Sequence, residues 1–88
     1  MSQVEDLTAL YDRLAALKWH RITLGDDRGA IREHHACGAE AKRIDAEHGG
    51  HEGLKLWHAF HEYHSTGPAF GTERAPMPER PSGQLTIV

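Results

Sequence analysis

The chain has 88 residues, 39% of them hydrophobic and 26% charged, with a formal net charge of −3 when histidine is neutral. Its length fits one small folded domain rather than two. The single cysteine excludes an internal disulfide, and no apolar run approaches the ~20 residues of a membrane span.

The first residues lack the charged and apolar regions of a signal peptide, so a cytoplasmic protein with no membrane partner is expected. Protonating all eight histidines would carry the charge to +5, so nucleic acid is not the expected partner at neutral pH. A domain this short buries only about 60% of its unfolded surface, and a metal, a partner or assembly into a homo-oligomer would add stability.

Ser2-Gln3-Val4-Glu5 is a capping box that starts the first helix. From there Leu7, Leu10, Leu14, Leu17 and Leu24 recur at spacings of three and four, with Arg21 filling the one gap, which predicts a helix reaching Leu24. Gly25-Asp26-Asp27 then stops one helix and starts the next, as in an antiparallel hairpin. The second helix is predicted over residues 27–48, closed by Gly49-Gly50, and the third over 51–65, closed by Gly67-Pro68. The fold class is therefore all-α: an antiparallel helical hairpin plus a third, shorter helix over residues 1–66, followed by an extended or disordered Pro-rich arm over 67–88.

Folding the chain about its turns predicts neighbours. A first turn near residue 26 sets Leu14 level with Cys37 and Gly38, and Leu10 level with Ala41, so large residues oppose small ones. A second turn between Gly49 and Gly50 sets His61 level with Cys37 or Gly38, and His64 level with His34 or His35. His34 and Cys37 share one face of their helix, as do His61 and His64, and both faces are expected to point inward. Three imidazoles and a thiolate suit tetrahedral zinc, so His34, Cys37, His61 and His64 are the candidate metal ligands. The competing reading makes these histidines core or boundary residues bonded to a carbonyl or carboxylate, with Cys37 a small buried hydrophobe, and a third reading is a histidine-based pH response. His51, Lys55, His58 and Glu62 are expected to face outward, and His48 and His51 to flank the Gly-Gly turn as exposed residues.

Lys18-Trp19-His20-Arg21 with Arg28 and Arg32 makes a basic end near the first turn. No glycine-rich phosphate loop, paired carboxylates or Ser-His-Asp set can be assembled, and the chain is not expected to be an enzyme. After the Pro-rich spacer, Gln84-Leu85-Thr86-Ile87-Val88 returns to apolar, β-branched residues, the composition of a short tethered ligand for another protein. This pentapeptide resembles the Gln-Leu-Ser/Asp-Leu-Phe motif with which many bacterial replication and repair proteins dock on the sliding clamp. Gln84 and Leu85 match it, Thr86 and Ile87 are near matches, and Val88 stands where phenylalanine is usual. Thr86-Ile87-Val88 also resembles a C-terminal PDZ ligand. The alternative is that Leu85, Ile87 and Val88 fold back over apolar surface that three helices leave open. The expected role is that of a small interaction protein, acting through the arm or an exposed apolar helix face. A histidine-rich zinc protein is the alternative.

Overall fold

Ser2 opens the first helix as its spacing requires. Its hydroxyl accepts the Glu5 amide proton at 3.1 Å while its own amide donates to the Glu5 carboxylate at 3.2 Å. In the computed structural model residues 2–17 and 28–81 are described, and within them the architecture is all-helical. Helix α1 spans Gln3–Ala15, α2 spans Arg28–His48 and α3 spans Glu52–His64, with a single 3-10 turn at Pro68–Phe70. The apolar stripe of α1 delivers Leu10, Tyr11 and Leu14 to a core completed by Cys37, Ala41 and Ile44 of α2 and Phe60 of α3. Leu14, Cys37, Ala41, Ile44 and Phe60 are all 0% exposed, so large residues of α1 and small ones of α2 share one core as expected, while Gly38, expected level with Leu14, lies against Trp57.

α1 is shorter than the leucine spacing implies. It ends at Ala15 with Ala16 as its C-cap, and the predicted stretch through residue 24 lies largely outside the described residues. The Leu14 carbonyl explains the stop. In a continuing helix it would accept the amide four residues on, but here it accepts from the Leu17 amide at 3.2 Å and from His64 Nε2 at 3.0 Å. A side chain fifty residues away thus serves as the C-terminal cap of α1.

α3 packs against α2 about one helical turn away from the level that the turn alone predicts. Two glycines set the register. A Cβ on Gly38 would fall 3.1 Å from the Trp57 ring, and one on Gly53 would fall 2.6 Å from the Ala41 carbonyl oxygen, so each admits a contact that any side chain would obstruct. Because Gly38 is bare, the Trp57 indole lies on the α2 backbone and donates to the His34 carbonyl at 3.0 Å. Asp45 of α2 completes the fit by capping α3, its two carboxylate oxygens accepting the Gly53 and Leu54 amides at 2.7 and 3.1 Å.

Gly49 and Gly50, both with φ near +80°, make the intervening turn. His48 closes α2 rather than standing exposed beside this turn. Its Nε2 donates to the Asp6 carboxylate at 2.7 Å, tying the end of α2 to the first turn of α1. The His48 hydrogen bond, helped by the Arg43 guanidinium, holds the Asp6 carboxyl below its usual range against the opposing effect of burial.

Candidate functional site

The four predicted metal ligands all fall within the described residues, and the register of α3 decides how they meet. His34 is buried and stacks on Trp57 with ring centroids 4.6 Å apart. His61 lies level with His34, its ring 5.7 Å away, not level with Cys37 as the turn implied, and it is exposed rather than inward. His64 is buried but turned toward the Leu14 carbonyl, which fixes its Nε2 as the protonated nitrogen. Cys37 is enclosed in the core, where burial pushes its thiol up.

Among the described residues the donor atoms that lie within 4.8 Å of one another belong instead to Asp6, Glu47 and His48. The Arg43 guanidinium already occupies their surroundings, pairing with Glu40 and Glu47 and lying 3.9 Å from Asp6. Burial, reinforced by the neighbouring His61, His35 and His64, lowers the His34 pKa to about 4. The buried His64 is lowered as well, the Leu14 hydrogen bond opposing that shift. Both rings are neutral at pH 7 and serve packing and capping.

A second constellation forms where the arm meets the helices. Gly67, at φ +128°, turns the chain away from α3, and the 3-10 turn with Gly71 at φ +73° reverses it. Arg74 then caps α3 by donating to the Tyr63 carbonyl at 2.7 Å while its guanidinium sits 4.7 Å above the Tyr63 ring. The Ala75 amide donates to Thr66 Oγ1 at 2.7 Å. From there the arm runs antiparallel to α1 and α3, along the seam between them. Tyr11 joins it to the core: its ring meets Phe60 edge-on at 4.9 Å, and its hydroxyl donates to the Pro78 carbonyl at 2.9 Å. One helix position on, Asp12 receives Arg80 as a two-pronged pair at 3.2 and 3.0 Å, which holds the Asp12 carboxyl below its usual range. The arm reaches a cleft of about 320 Å³ lined by Leu7, Glu52, Lys55, Leu56, Glu79 and Pro81.

These fastenings are modest. The Arg80–Asp12 pair is about half exposed on both sides, and pairs of that kind contribute about 0–1 kcal/mol, while a neutral hydrogen bond such as that of Tyr11 adds roughly 1 kcal/mol.

The candidate partner-binding residues Gln84, Leu85, Thr86, Ile87 and Val88 lie outside the described residues, as do Lys18, Trp19, His20 and Arg21 of the basic end. Tyr11, Asp12, Pro78 and Arg80 were not singled out by sequence reasoning. A faint signal existed in Pro76-Met77-Pro78-Glu79-Arg80-Pro81, where prolines space an arginine, but nothing local names Tyr11 and Asp12 as its receivers. Comparisons of the chain with protein-family models, curated proteins and solved structures find no match.

Proposed function

We propose that this is a small non-catalytic interaction protein whose helical body holds a C-terminal arm and presents the segment beyond Pro81 to another protein. The observation that carries this reading is the seam between α1 and α3, where Tyr63, Tyr11 and Asp12 fasten Arg74, Pro78 and Arg80 in succession. An arm attached at three points gives the apolar residues that follow it a defined origin, which raises their local concentration at a partner docked beside the helices. The test compares the full chain with one ending at Pro81. Unchanged melting together with loss of a directly measured protein complex, with purified bacterial sliding clamp as the first candidate that the Gln84-Leu85 motif suggests, supports the reading. A lower melting temperature with the same proteins retained would overturn it and make the segment a part of the fold.

A zinc-binding role is a second reading, favoured by the close approach of Asp6, Glu47 and His48 and by the His34–His61 pair. A cation at the first cluster must displace Arg43 from Glu47. Elemental analysis of the purified protein decides it: stoichiometric zinc lost in His48→Ala assigns the first cluster, and zinc lost in the His61→Ala/His64→Ala double variant assigns the quartet. Protein that holds no zinc and binds none in titration ends the reading.

A further inference from the structure

The arm in the α1/α3 seam is an extended proline-rich peptide lying on a helical surface, and the surface contacts it through three distinct chemistries. Pro76, Pro78 and Pro81 have their own φ fixed, while Ala75, Met77 and Arg80 are each restricted to extended conformations by the proline that follows. Six of the seven residues 75–81 therefore have little backbone freedom to lose on docking, the property that makes proline-rich segments effective ligands. The surface supplies a tyrosine hydroxyl for a proline carbonyl, a carboxylate fork for an arginine two residues later, and a cleft with Leu7 and Leu56 beside the last proline.

We propose that the seam of Leu7, Tyr11, Asp12, Glu52, Lys55 and Leu56 is a docking site for proline-rich, arginine-bearing segments of another protein, and that residues 75–81 are its resident, displaceable occupant.

Charge and fastening both support displacement. Asp12 and Glu52 against Lys55 leave the seam with an acid in excess, and Lys55 already lies 3.5 Å from the Glu52 carboxylate. The resident segment brings a further carboxylate, Glu79, into the same cleft. Because the seam carries an acid in excess, a basic residue at that position adds an attraction toward Asp12 and Glu52. The Arg80–Asp12 pair is about half exposed and the Tyr11–Pro78 hydrogen bond is a single part-buried contact, so the tether through Gly67 and Gly71 supplies much of the hold by keeping the arm at high local concentration. A second copy of the chain is the poorer occupant. Its arm makes the same contacts that the resident arm already makes, gains none, and loses translational freedom on association.

The test uses the full-length chain carrying Arg80→Glu, which sets two acids against each other and frees the seam, with circular dichroism to verify its fold. Arg80→Ala, which introduces no repulsion, serves as the milder second variant. The probes are synthetic peptides of residues 73–82 with the native sequence and with Glu79→Lys, titrated by fluorescence anisotropy and by amide chemical-shift mapping. Saturable binding to both variants with shifts at Leu7, Tyr11, Asp12 and Leu56 is expected. The Glu79→Lys peptide should bind at least threefold tighter, and the wild-type chain at least tenfold weaker than Arg80→Glu because its own arm competes. Adding Asp12→Asn to the variant should weaken binding severalfold. No saturable binding to either variant, shifts on another face, or indifference to Asp12→Asn would overturn the proposal. So would a wild-type dimer that grows with concentration and is lost in Arg80→Glu, since that gives the seam to a second copy. The peptides contain none of residues 84–88, so the result is independent of whether that segment docks on a partner.

Discussion

The interface between α2 and α3 and the seam that holds the arm join the same third helix to its surroundings by opposite means. On the α2 side the fit is led by shape: Trp57 lies on bare Gly38 and Gly53 on the Ala41 carbonyl, and the hydrogen bonds there, from the Trp57 indole and to the Asp45 carboxylate, involve backbone groups that this close approach brings within reach. On the arm side the fit is one of reaching groups, with Arg74 and Arg80 spanning at the surface to a carbonyl and a carboxylate and the buried Tyr11 reaching the Pro78 carbonyl at the edge of the core. Close packing has one workable arrangement and resists change steeply, whereas exposed polar contacts re-form with water at little cost. The first interface therefore belongs to the stability of the domain, and the second is suited to exchange.

The contrast breaks most severely in the core that both regions share. Leu14→Asp puts a charge in a site that is 0% exposed, in the core that also holds Cys37 and Phe60, and should unfold the domain outright, read as loss of the helical circular dichroism signal. Retained helicity in that variant would mean that the α1 seam contributes little.

Gly53→Ala tests the shape-fitted side alone. The added carbon meets backbone rather than a yielding side chain, so α3 must shift off α2, at an expected cost of about 2–3 kcal/mol and a melting temperature lower by roughly 10 °C or more. Gly38→Ala presses on the edge of the Trp57 ring, which has more room to yield, and should cost less, about 1 kcal/mol.

Acid sharpens the difference further. Burial holds the His34 pKa at about 4 against an ordinary 6.5, so the unfolded chain takes up its proton first as pH falls. The stability due to neutral His34 is complete above pH 6.5 and declines toward pH 4, and His64 acts in the same direction. Melting temperature should therefore fall across that interval, and His34→Phe, which keeps an aromatic ring against Trp57, should flatten the slope. The Asp12 carboxyl is depressed by its Arg80 partner, so the arm's fastening outlasts the histidine effect and is lost only at lower pH, once that carboxyl is protonated.

The smallest effect is expected where the contacts are most visible. Arg80→Ala should lower stability by no more than about 1 kcal/mol, yet should speed amide hydrogen exchange along residues 75–80 without altering exchange in α2. Unchanged exchange there would mean that the arm is held by something other than Arg80.

How far local sequence reaches is clear from particular residues. The Ser2–Glu5 box, the Gly49-Gly50 turn, and the inward facing of Leu10, Leu14, Cys37 and Ala41 were all legible, because each depends on residues close in sequence or on a periodicity that one helix carries within itself. The site was less so. His61 was expected level with Cys37 or Gly38 and His64 level with His34 or His35, whereas the structure sets an exposed His61 beside His34 and turns His64 to the end of α1. A shift of one helical turn in α3 suffices to redistribute all four, and nothing in the turn's length encodes it.

By itself the sequence determined three helices, their order, their inward apolar residues and a proline-rich extension, since capping, periodicity and the fixed φ of proline act within a few residues. Only the tertiary structure decided that α1 stops at Ala15 under His64, that α3 registers on Gly38 and Gly53, and that Tyr11 and Asp12 receive the arm. Each of those outcomes pairs residues twelve to sixty-eight positions apart through a close approach or one or two polar contacts, and such contacts leave no periodic trace along the chain that makes them.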